Sequence, residues 1–357
     1  MAIKKIVFTG GGSAGHVTPN IAIINELSND WDVFYIGSKK GIEKELIQKI
    51  NIPYFGINSG KLRRYIDFEN FVDIFRVVKG CFEARRILKQ LKPDLIFSKG
   101  GFVSVPVILA AKSLRIPIFI HESDLTPGLA NKISQRFSTK IFTSFEETKK
   151  FFPEHKTTVI GSPIRKEIMN GSTEKGRKLL GFDKHTPILT IMGGSLGAKK
   201  INEVVRETLE QLTLHYQIVH ICGKNNMDPH LFNRPKYKQY EYVYDELSDI
   251  LAATDIVITR GGSNAIFEFL ALNIPMLIIP LGLNQSRGDQ ILNAKVFQNK
   301  GYSLTLEEEN LTSKTLMENL NTVYKNREMY QKNMKESYNG DALQTLVIEI
   351  NNVNTSR

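Results

Sequence analysis

Asp255-Ile256-Val257-Ile258-Thr259-Arg260-Gly261-Gly262-Ser263-Asn264-Ala265-Ile266-Phe267-Glu268 spells a strand, a tight turn and the start of a helix. The β-branched run Ile256-Val257-Ile258 suits a short buried strand. Two glycines then let the backbone turn sharply and come close to a ligand. A helix is expected to open at Ser263 or Asn264, both good N-caps. The unpaired N–H groups of its first turn make a site for an anion such as a phosphate. Glu268 lies about one turn further on, placed to accept hydrogen bonds from sugar hydroxyls. The helix ends near Asn273-Ile274-Pro275, and Met276-Leu277-Ile278-Ile279 forms the next strand. Pro280 closes it, and Asn284, Gln285, Arg287, Asp289 and Gln290 follow in a polar loop. Two readings fit this stretch: a pocket for a nucleotide sugar at the carboxyl end of a parallel sheet, or one ordinary βαβ unit.

The pattern recurs. Asp94-Leu95-Ile96-Phe97-Ser98-Lys99-Gly100-Gly101-Phe102 has the same order of strand, basic residue, Gly-Gly and helix. Arg115-Ile116-Pro117-Ile118-Phe119-Ile120 mirrors Asn273-Ile274-Pro275-Met276-Leu277-Ile278. A second pair joins Lys5–Thr9 and its loop Gly10-Gly11-Gly12-Ser13-Ala14-Gly15-His16 to Ile188–Met192 and Gly193-Gly194-Ser195-Leu196-Gly197. Two glycine loops at matching places in each half predict an α/β protein of two related Rossmann-like domains facing each other. The expected domains are 1–163 and 164–340, with a hinge near Val159–Arg165. A terminal helix in 341–357 is expected to cross back to the first domain.

Composition narrows the class. A chain of 357 residues suits two domains, and 41% hydrophobic with 24% charged residues is globular. No apolar run reaches the roughly 18 residues a membrane span needs. Met1-Ala2-Ile3-Lys4-Lys5-Ile6 leads straight into a strand, so no signal peptide is expected. Cys81 and Cys222 lack metal or redox spacing and read as ordinary buried thiols. A net charge of +10 points to an anionic partner: a nucleotide, a nucleic acid or an acidic membrane surface. Nucleic acid is the weakest of these, for no basic tract interleaves with aromatics.

Several motifs carry rival readings. Gly10, Gly12 and Gly15 match G-x-G-x-x-G, but Val33-Phe34-Tyr35-Ile36 ends in Gly37-Ser38-Lys39-Lys40 where a ribose-binding acid belongs. The lysines suit a 2′-phosphate, so an NADP-dependent oxidoreductase is an alternative. Asp30-Trp31-Asp32 has the D-x-D form of metal-dependent transferases, yet it falls in a tight turn where Asn and Asp are expected anyway. The seven histidines show no metal-ligand spacing, and no Ser or Cys has a nucleophile-elbow context. His121-Glu122 is either an acid/base pair or a loop cap. A helix from about Asp67 to Gln90 puts Phe71, Phe75, Val78 and Phe82 on one face, ringed by Arg76, Lys79, Arg85, Arg86 and Lys89. Most of that face is expected to be core; the sharper alternative is membrane docking together with Leu62-Arg63-Arg64.

Gly11-Gly12-Ser13-Ala14-Gly15-His16 resembles the GGTGGH motif of the MurG family, the UDP-N-acetylglucosamine transferases that convert lipid I to lipid II. Lys99–Ser104, His121-Glu122, Pro127–Lys132, Gly161–Arg165, Gly193–Ala198, the opening stretch and Gln290–Ala294 resemble the same family, in its order. The resemblance spans nearly the whole chain. It implies a GT-B fold with two Rossmann-like domains facing a cleft, and inverting transfer of GlcNAc to the 4-hydroxyl of a lipid-linked MurNAc. No cofactor and no metal are implied. His16 matches the best candidate for the base that takes the hydroxyl proton. Arg165, Ser195 and Gln290 match donor-binding positions, and Val243 the residue whose backbone reads uracil. Ser263, Asn264, Ala265 and Glu268 match the segment around phosphates and ribose. Ser13, Ala14 and Gly15 match the loop that meets the donor or the acceptor pyrophosphate, and Asn131 is a further substrate-binding candidate. Ser13-Ala14 replaces the commoner Thr-Gly, and Asp124 stands where many members carry Asn. The implied partners are UDP-GlcNAc, undecaprenyl-linked lipid I, an anionic membrane surface and other cell-wall synthesis proteins. The implied place is peripheral, on the cytoplasmic face of the cell membrane. Another GT-B UDP-sugar transferase with a different acceptor is the nearest alternative.

Overall fold

A computed structural model describes residues 3–60, 68–194, 197–337 and 342–353. The chain forms two compact units, Met1–Pro163 with Asp341–Arg357, and Ile164–Gly340.

The first unit is built on seven parallel strands. They are β1 (Lys4–Thr9), β2 (Trp31–Ser38), β3 (Tyr54–Ile57), β4 (Leu95–Ser98), β5 (Ile118–Glu122), β6 (Lys140–Thr143) and β7 (Thr157–Val159), in the order β3-β2-β1-β4-β5-β6-β7. Helices cover both faces, so the middles of the central strands, Ile6–Phe8, Leu95–Phe97 and Ile118–Ile120, are continuous apolar runs. Along β1, Ile6 and Phe8 join one core with Ile23, Phe97 and Phe142, while Val7 joins the other with Ile36, Ile96 and Ile120. That is the two-residue alternation of a strand.

The second unit carries β8 (Ile188–Met192), β9 (Gln217–Ile221), β10 (Tyr237–Tyr240), β11 (Ile256–Thr259), β12 (Met276–Ile278) and β13 (Ser303–Thr305), in the order β10-β9-β8-β11-β12-β13. Counted within each unit, both sheets run 3-2-1-4-5-6, the Rossmann order, with a seventh strand added at the far edge of the first. Its connections part in opposite directions between the first and fourth strands, and the crevice there binds ligands. The switch points fall between β1 and β4 and between β8 and β11. The four glycine loops singled out above follow these four strands.

The helix Phe68–Leu91 corrects the expectation of an aromatic core face. Phe75, Val78 and Phe82 are exposed at 75%, 47% and 70%. The packed face is Gly80, Ala84, Ile87 and Leu88 instead. Small residues decide this: a Cβ on Gly80 would lie 2.0 Å from the Asn58 carbonyl oxygen, so only glycine lets the helix sit that low. The Phe71 side chain and Leu62-Arg63-Arg64 lie outside the described residues.

The last helix, Ala342–Asn351, packs on the first sheet's helical layer. Leu343, Leu346 and Ile350 are buried with Ile6, Phe8 and Ile23. Trp31 Nε1 donates to Asn351 Oδ1 at 2.8 Å, and Lys4 Nζ donates to the Asn351 carbonyl at 3.1 Å, where a cation complements a helix C-terminus. Leu346 is fully buried. Leu346→Ala is expected to destabilise this unit by about 2–5 kcal/mol. Trp31, the sole tryptophan, reports the change in a fluorescence-monitored urea titration. A loss below about 0.5 kcal/mol, the size of an ordinary surface change, would remove the helix from this core.

Candidate active site

In the second unit, β11 delivers Arg260 and the two glycines. Arg260 is buried and turned away from the glycine turn. Its Nη1 donates to the carbonyls of Ile279 (3.2 Å) and Pro280 (3.4 Å), and its Nη2 pairs with Glu308. It therefore ties the loop after β12 to the end of β11. Gly261 packs on the Gln290 backbone, where a Cβ would lie 2.4 Å from the carbonyl oxygen, and its own carbonyl accepts from Asn293 Nδ2 at 3.1 Å.

Gly262, not Ser263 or Asn264, caps the helix Ser263–Ala271. Ser263, Asn264 and Ala265 form the first turn, and no side chain bonds across the cap. A Cβ on Gly262 would meet nothing within 4 Å, so open space lies above this N-terminus. An anion placed there meets the outward N–H groups of the first turn and the positive end of the helix dipole. Glu268, a turn later, faces Arg165 with Nη2–Oε1 at 3.4 Å. Burial pushes the Glu268 carboxyl above its ordinary value, and Arg165 pulls it back. Arg165 Nε is buried without a hydrogen-bond partner among the described residues. Gln290 Oε1 accepts from the Leu281 N–H at 3.0 Å. Val243 follows β10 and packs partly buried beside Leu180, Ile188 and Val219. Ser195 lies outside the described residues. Its neighbours Gly194 and Gly197 have φ of 98° and 76°, and a Cβ on Gly197 would strike the Cys222 carbonyl at 2.3 Å.

In the first unit, the loop after β1 turns through Gly10 and Gly12 into the short 3-10 turn Ala14–His16. This brings Ser13, Ala14, Gly15 and His16 together, with Ser13 Oγ 2.9 Å from His16 Nδ1. Behind the loop after β4, Lys99 is buried and bonds His121 Nδ1 and Ser123 Oγ. His121 Nε2 lies 3.2 Å from the Gly161 carbonyl. A carbonyl only accepts, so Nε2 carries the proton and Nδ1 receives the Lys99 N–H. Burial, then the Lys99 charge, holds His121 well below its ordinary range, and burial brings Lys99 down to about 7.

Glu122 resolves the two readings of His121-Glu122 in favour of the cap. Its carboxylate accepts from the N–H of Asp124 (3.0 Å), the N–H of Gly128 (3.1 Å) and Asn131 Nδ2 (2.9 Å). Burial and the Asp124 charge push it up to about 7 against those donors. Asn131 is buried, and its amide also reaches the His121 carbonyl at 3.3 Å. Asn131 thus braces the loop that carries Asp124.

Two side chains escaped the sequence reading: Glu43, which bonds the Gly12 N–H, and Glu308, which pairs with Arg260; Asn293, which fixes the Gly261 carbonyl, lies in the Gln290–Ala294 stretch without a role assigned to it. Glu43 opens an ordinary helix and Glu308 sits in the acidic run Glu307-Glu308-Glu309 at a 3-10 turn, and neither pattern marks a loop-binding role. Beside the first-unit loop a cavity of about 760 Å³ is lined by Gly12, Lys39, Lys40, Ser59, Arg76 and Phe102.

Two parallel sheets of Rossmann order, each with glycine loops on both sides of its switch point, define the GT-B class of glycosyltransferase fold. Residues 6–143 match the glycosyltransferase family 28 N-terminal domain, and residues 188–347 match its C-terminal domain. The UDP-N-acetylglucosamine–N-acetylmuramyl-(pentapeptide) pyrophosphoryl-undecaprenol N-acetylglucosamine transferase of Shouchella clausii is 60% identical over 336 residues, covering 94% of this chain and 95% of that protein. The Clostridium botulinum enzyme of the same name is 52% identical, with the same coverage. The crystal structure of Acinetobacter baumannii MurG superposes with a TM-score of 0.77 at 25% identity, covering 98% of this chain and 99% of that one. The calicheamicin glycosyltransferase CalG4, at 13% identity and a TM-score of 0.70 over 99% of this chain and 98% of that one, shares the fold. The chain belongs to glycosyltransferase family 28 and, within it, to the MurG family.

The two buried histidines carry a pH prediction. His220 lies 2.9 Å from Asn202 Oδ1 through Nε2 and 2.9 Å from the Tyr237 hydroxyl through Nδ1, and burial lowers its pKa to about 3. His121 and His220 thus stay neutral in the fold while the unfolded chain takes up protons near pH 6.5. The unfolded state binds more protons below that pH, so stability is lost as pH falls, at up to about 1.4 kcal/mol per pH unit for each ring. Imidazole nitrogen shifts from pH 7.5 to 5 should show both rings as the Nε2–H tautomer. Protonation of either ring at pH 6 contradicts the assignment.

Proposed function

We propose that the chain transfers GlcNAc from UDP-GlcNAc to the 4-hydroxyl of MurNAc in undecaprenyl-pyrophosphoryl-MurNAc-pentapeptide, with inversion at the transferred carbon. The observation that carries the reading is the asymmetry of the two Gly-Gly turns. In the second unit the turn opens a helix whose carboxylate, Glu268, faces Arg165 across 3.4 Å. In the first unit the matching turn is backed by Lys99, already engaged by His121 and Ser123. The second unit is therefore the donor half. The diphosphate lies over the first turn at Ser263, Asn264 and Ala265, Glu268 accepts from the ribose hydroxyls, and the backbone at Val243 reads uracil. Gln290 and the Ser195 loop complete the donor site. Arg165, with its unpartnered Nε, meets negative charge on the departing diphosphate.

The first unit is the acceptor half. His16 takes the proton from the 4-hydroxyl as that oxygen bonds to the donor carbon. The bond from this carbon to the phosphate oxygen breaks, and its electron pair leaves with UDP. A single displacement converts the α-linkage of the donor to a β-linkage. Ser13 has a role here: its oxygen, accepting from His16 Nδ1–H, leaves the Nε2 lone pair for the proton. The cationic cavity beside the loop suits the anionic parts of the acceptor.

Phe75, Val78 and Phe82, exposed on a helix bearing Arg76, Lys79 and Arg86, favour docking on an anionic membrane surface at its cytoplasmic face. No described helix is long and apolar enough to cross a membrane. Other cell-wall synthesis proteins are further partners to seek.

Incubation with labelled UDP-GlcNAc and a lipid I analogue should yield a labelled β-linked disaccharide lipid. Folded protein that binds UDP-GlcNAc but forms no such product refutes the reading. His16→Ala should lower kcat by about 10²–10⁴-fold, the range of general-base catalysis, with donor affinity retained; an unchanged kcat removes His16 as the base. Phe75→Ser with Phe82→Ser should weaken sedimentation with anionic vesicles at unchanged melting temperature. Unchanged vesicle binding would assign the stripe elsewhere.

A further inference from the structure

Beneath the first-unit glycine loop lies a carboxylate to which neither the sequence motifs nor the reaction assigns a part. Glu43, in the first turn of the helix Ile42–Lys49, is fully buried. Its Oε1 accepts from the Ser38 N–H at 3.0 Å and the Ser38 hydroxyl at 2.5 Å. Its Oε2 accepts from the Gly12 N–H at 3.3 Å. One side chain thus bonds both the loop after β1 and the end of β2.

The surrounding glycines are shaped to this group. A Cβ on Gly11 would lie 2.5 Å from Glu43 Cδ and one on Gly41 2.2 Å from Oε2, while one on Gly37 would meet the Tyr54 hydroxyl at 2.3 Å before Glu43 Cγ at 2.9 Å. None of the three has a left-handed φ, so backbone conformation does not require glycine at any of them. At Gly11 and Gly41 the three nearest atoms all belong to Glu43. What glycine provides there is room for one carboxylate. In a dinucleotide-binding Rossmann loop the inward N–H groups face a phosphate. Here one of them faces the protein's own carboxylate, which arranges the loop before any ligand arrives.

We infer that Glu43 is a positioning residue: it fixes Gly12, and through Gly12 the Ser13–His16 turn, so that His16 is held ready for the acceptor. The catalytic consequence rests on the function proposed above; the control of loop geometry does not. Glu43→Gln keeps the volume but turns an NH₂ toward donors that need an acceptor. It should lower kcat/KM for the lipid acceptor by about 10- to 100-fold, as a small misplacement of a reacting group does. Its UDP-GlcNAc dissociation constant by calorimetry should stay within about twofold, since the donor half is independent of this contact. Amide hydrogen exchange across Gly10–His16 should quicken. Gly11→Ala should reproduce these effects by displacing the carboxylate. Combined with Glu43→Ala it should add little to Glu43→Ala alone, because the added methyl then has room. Loop exchange at the wild-type rate in Glu43→Gln, fully additive effects in the double variant, or equal losses for donor and acceptor would each overturn the assignment. Exchange and the double-variant cycle are read without sugar transfer. A wild-type protein that transfers nothing would therefore refute the proposed function and still leave these measurements to decide the role of Glu43.

Discussion

At the first switch point two backbones touch. Gly101, with φ of 81°, lies so close to Gly11 that a Cβ would fall 2.2 Å from the Gly11 carbonyl oxygen. A methyl group there would push apart the loops after β1 and β4, and with them Ser13, His16 and Phe102. The second unit solves the same problem with a different partner: Gly261 rests on the carbonyl of Gln290. In both units the basic residue just before the Gly-Gly is buried and reaches to the loop after the neighbouring strand. Lys99 bonds His121 and Ser123, and Arg260 bonds the carbonyls of Ile279 and Pro280. The repeat in sequence is thus a repeat of a mechanical device, a cation that ties two adjacent strand ends so that the glycine turn between them keeps its shape.

The strands and turns were legible because parallel strands covered on both faces must be apolar along their length, and because glycine marks places where no Cβ fits. The first turn of the helix at Ser263 and the place of Glu268 followed from spacing alone. The Arg165–Glu268 contact did not, since no local pattern joins residues so far apart in the chain. Burial also reversed the look of several groups. Lys99 and Arg260 read as cations beside a glycine loop, yet both point inward. His121-Glu122 reads equally as an acid/base pair or a loop cap, and burial decides for the cap: three N–H donors converge on the carboxylate and a lysine fills the ring nitrogen. Along Phe68–Leu91 the bulkiest residues form the exposed stripe, whereas Gly80 and Ala84 decide which side approaches the sheet.

The two halves hold their charges differently. In the second unit the Arg165–Glu268 pair is half-open, with side chains 35% and 15% exposed, a long contact and an unpartnered Nε. Such a pair retains hydrogen-bonding capacity that a ligand can take up. In the first unit Lys99 bonds His121, and Asn131 bonds both Glu122 and the His121 carbonyl, in a buried network that leaves only Asn131 Oδ1 of these side chains without a partner among the described residues. Networks of this kind give rigidity when complete and are costly when one member is removed. The loops they hold are set in advance of binding.

The terminal helix Ala342–Asn351 belongs to the core of the first unit, although some 180 residues of the second unit precede it. The second unit is therefore an insertion, entered at Pro163 and left at Gly340. A nascent chain emerges from its N-terminus, and domains generally fold in that order. Here the order is inverted. The second unit has its whole sequence once Gly340 is made, while the first still leaves Ile6, Phe8 and Ile23 uncovered. The half that begins the chain is the last to be completed, and until then its open apolar face is what a chaperone on the ribosome would meet.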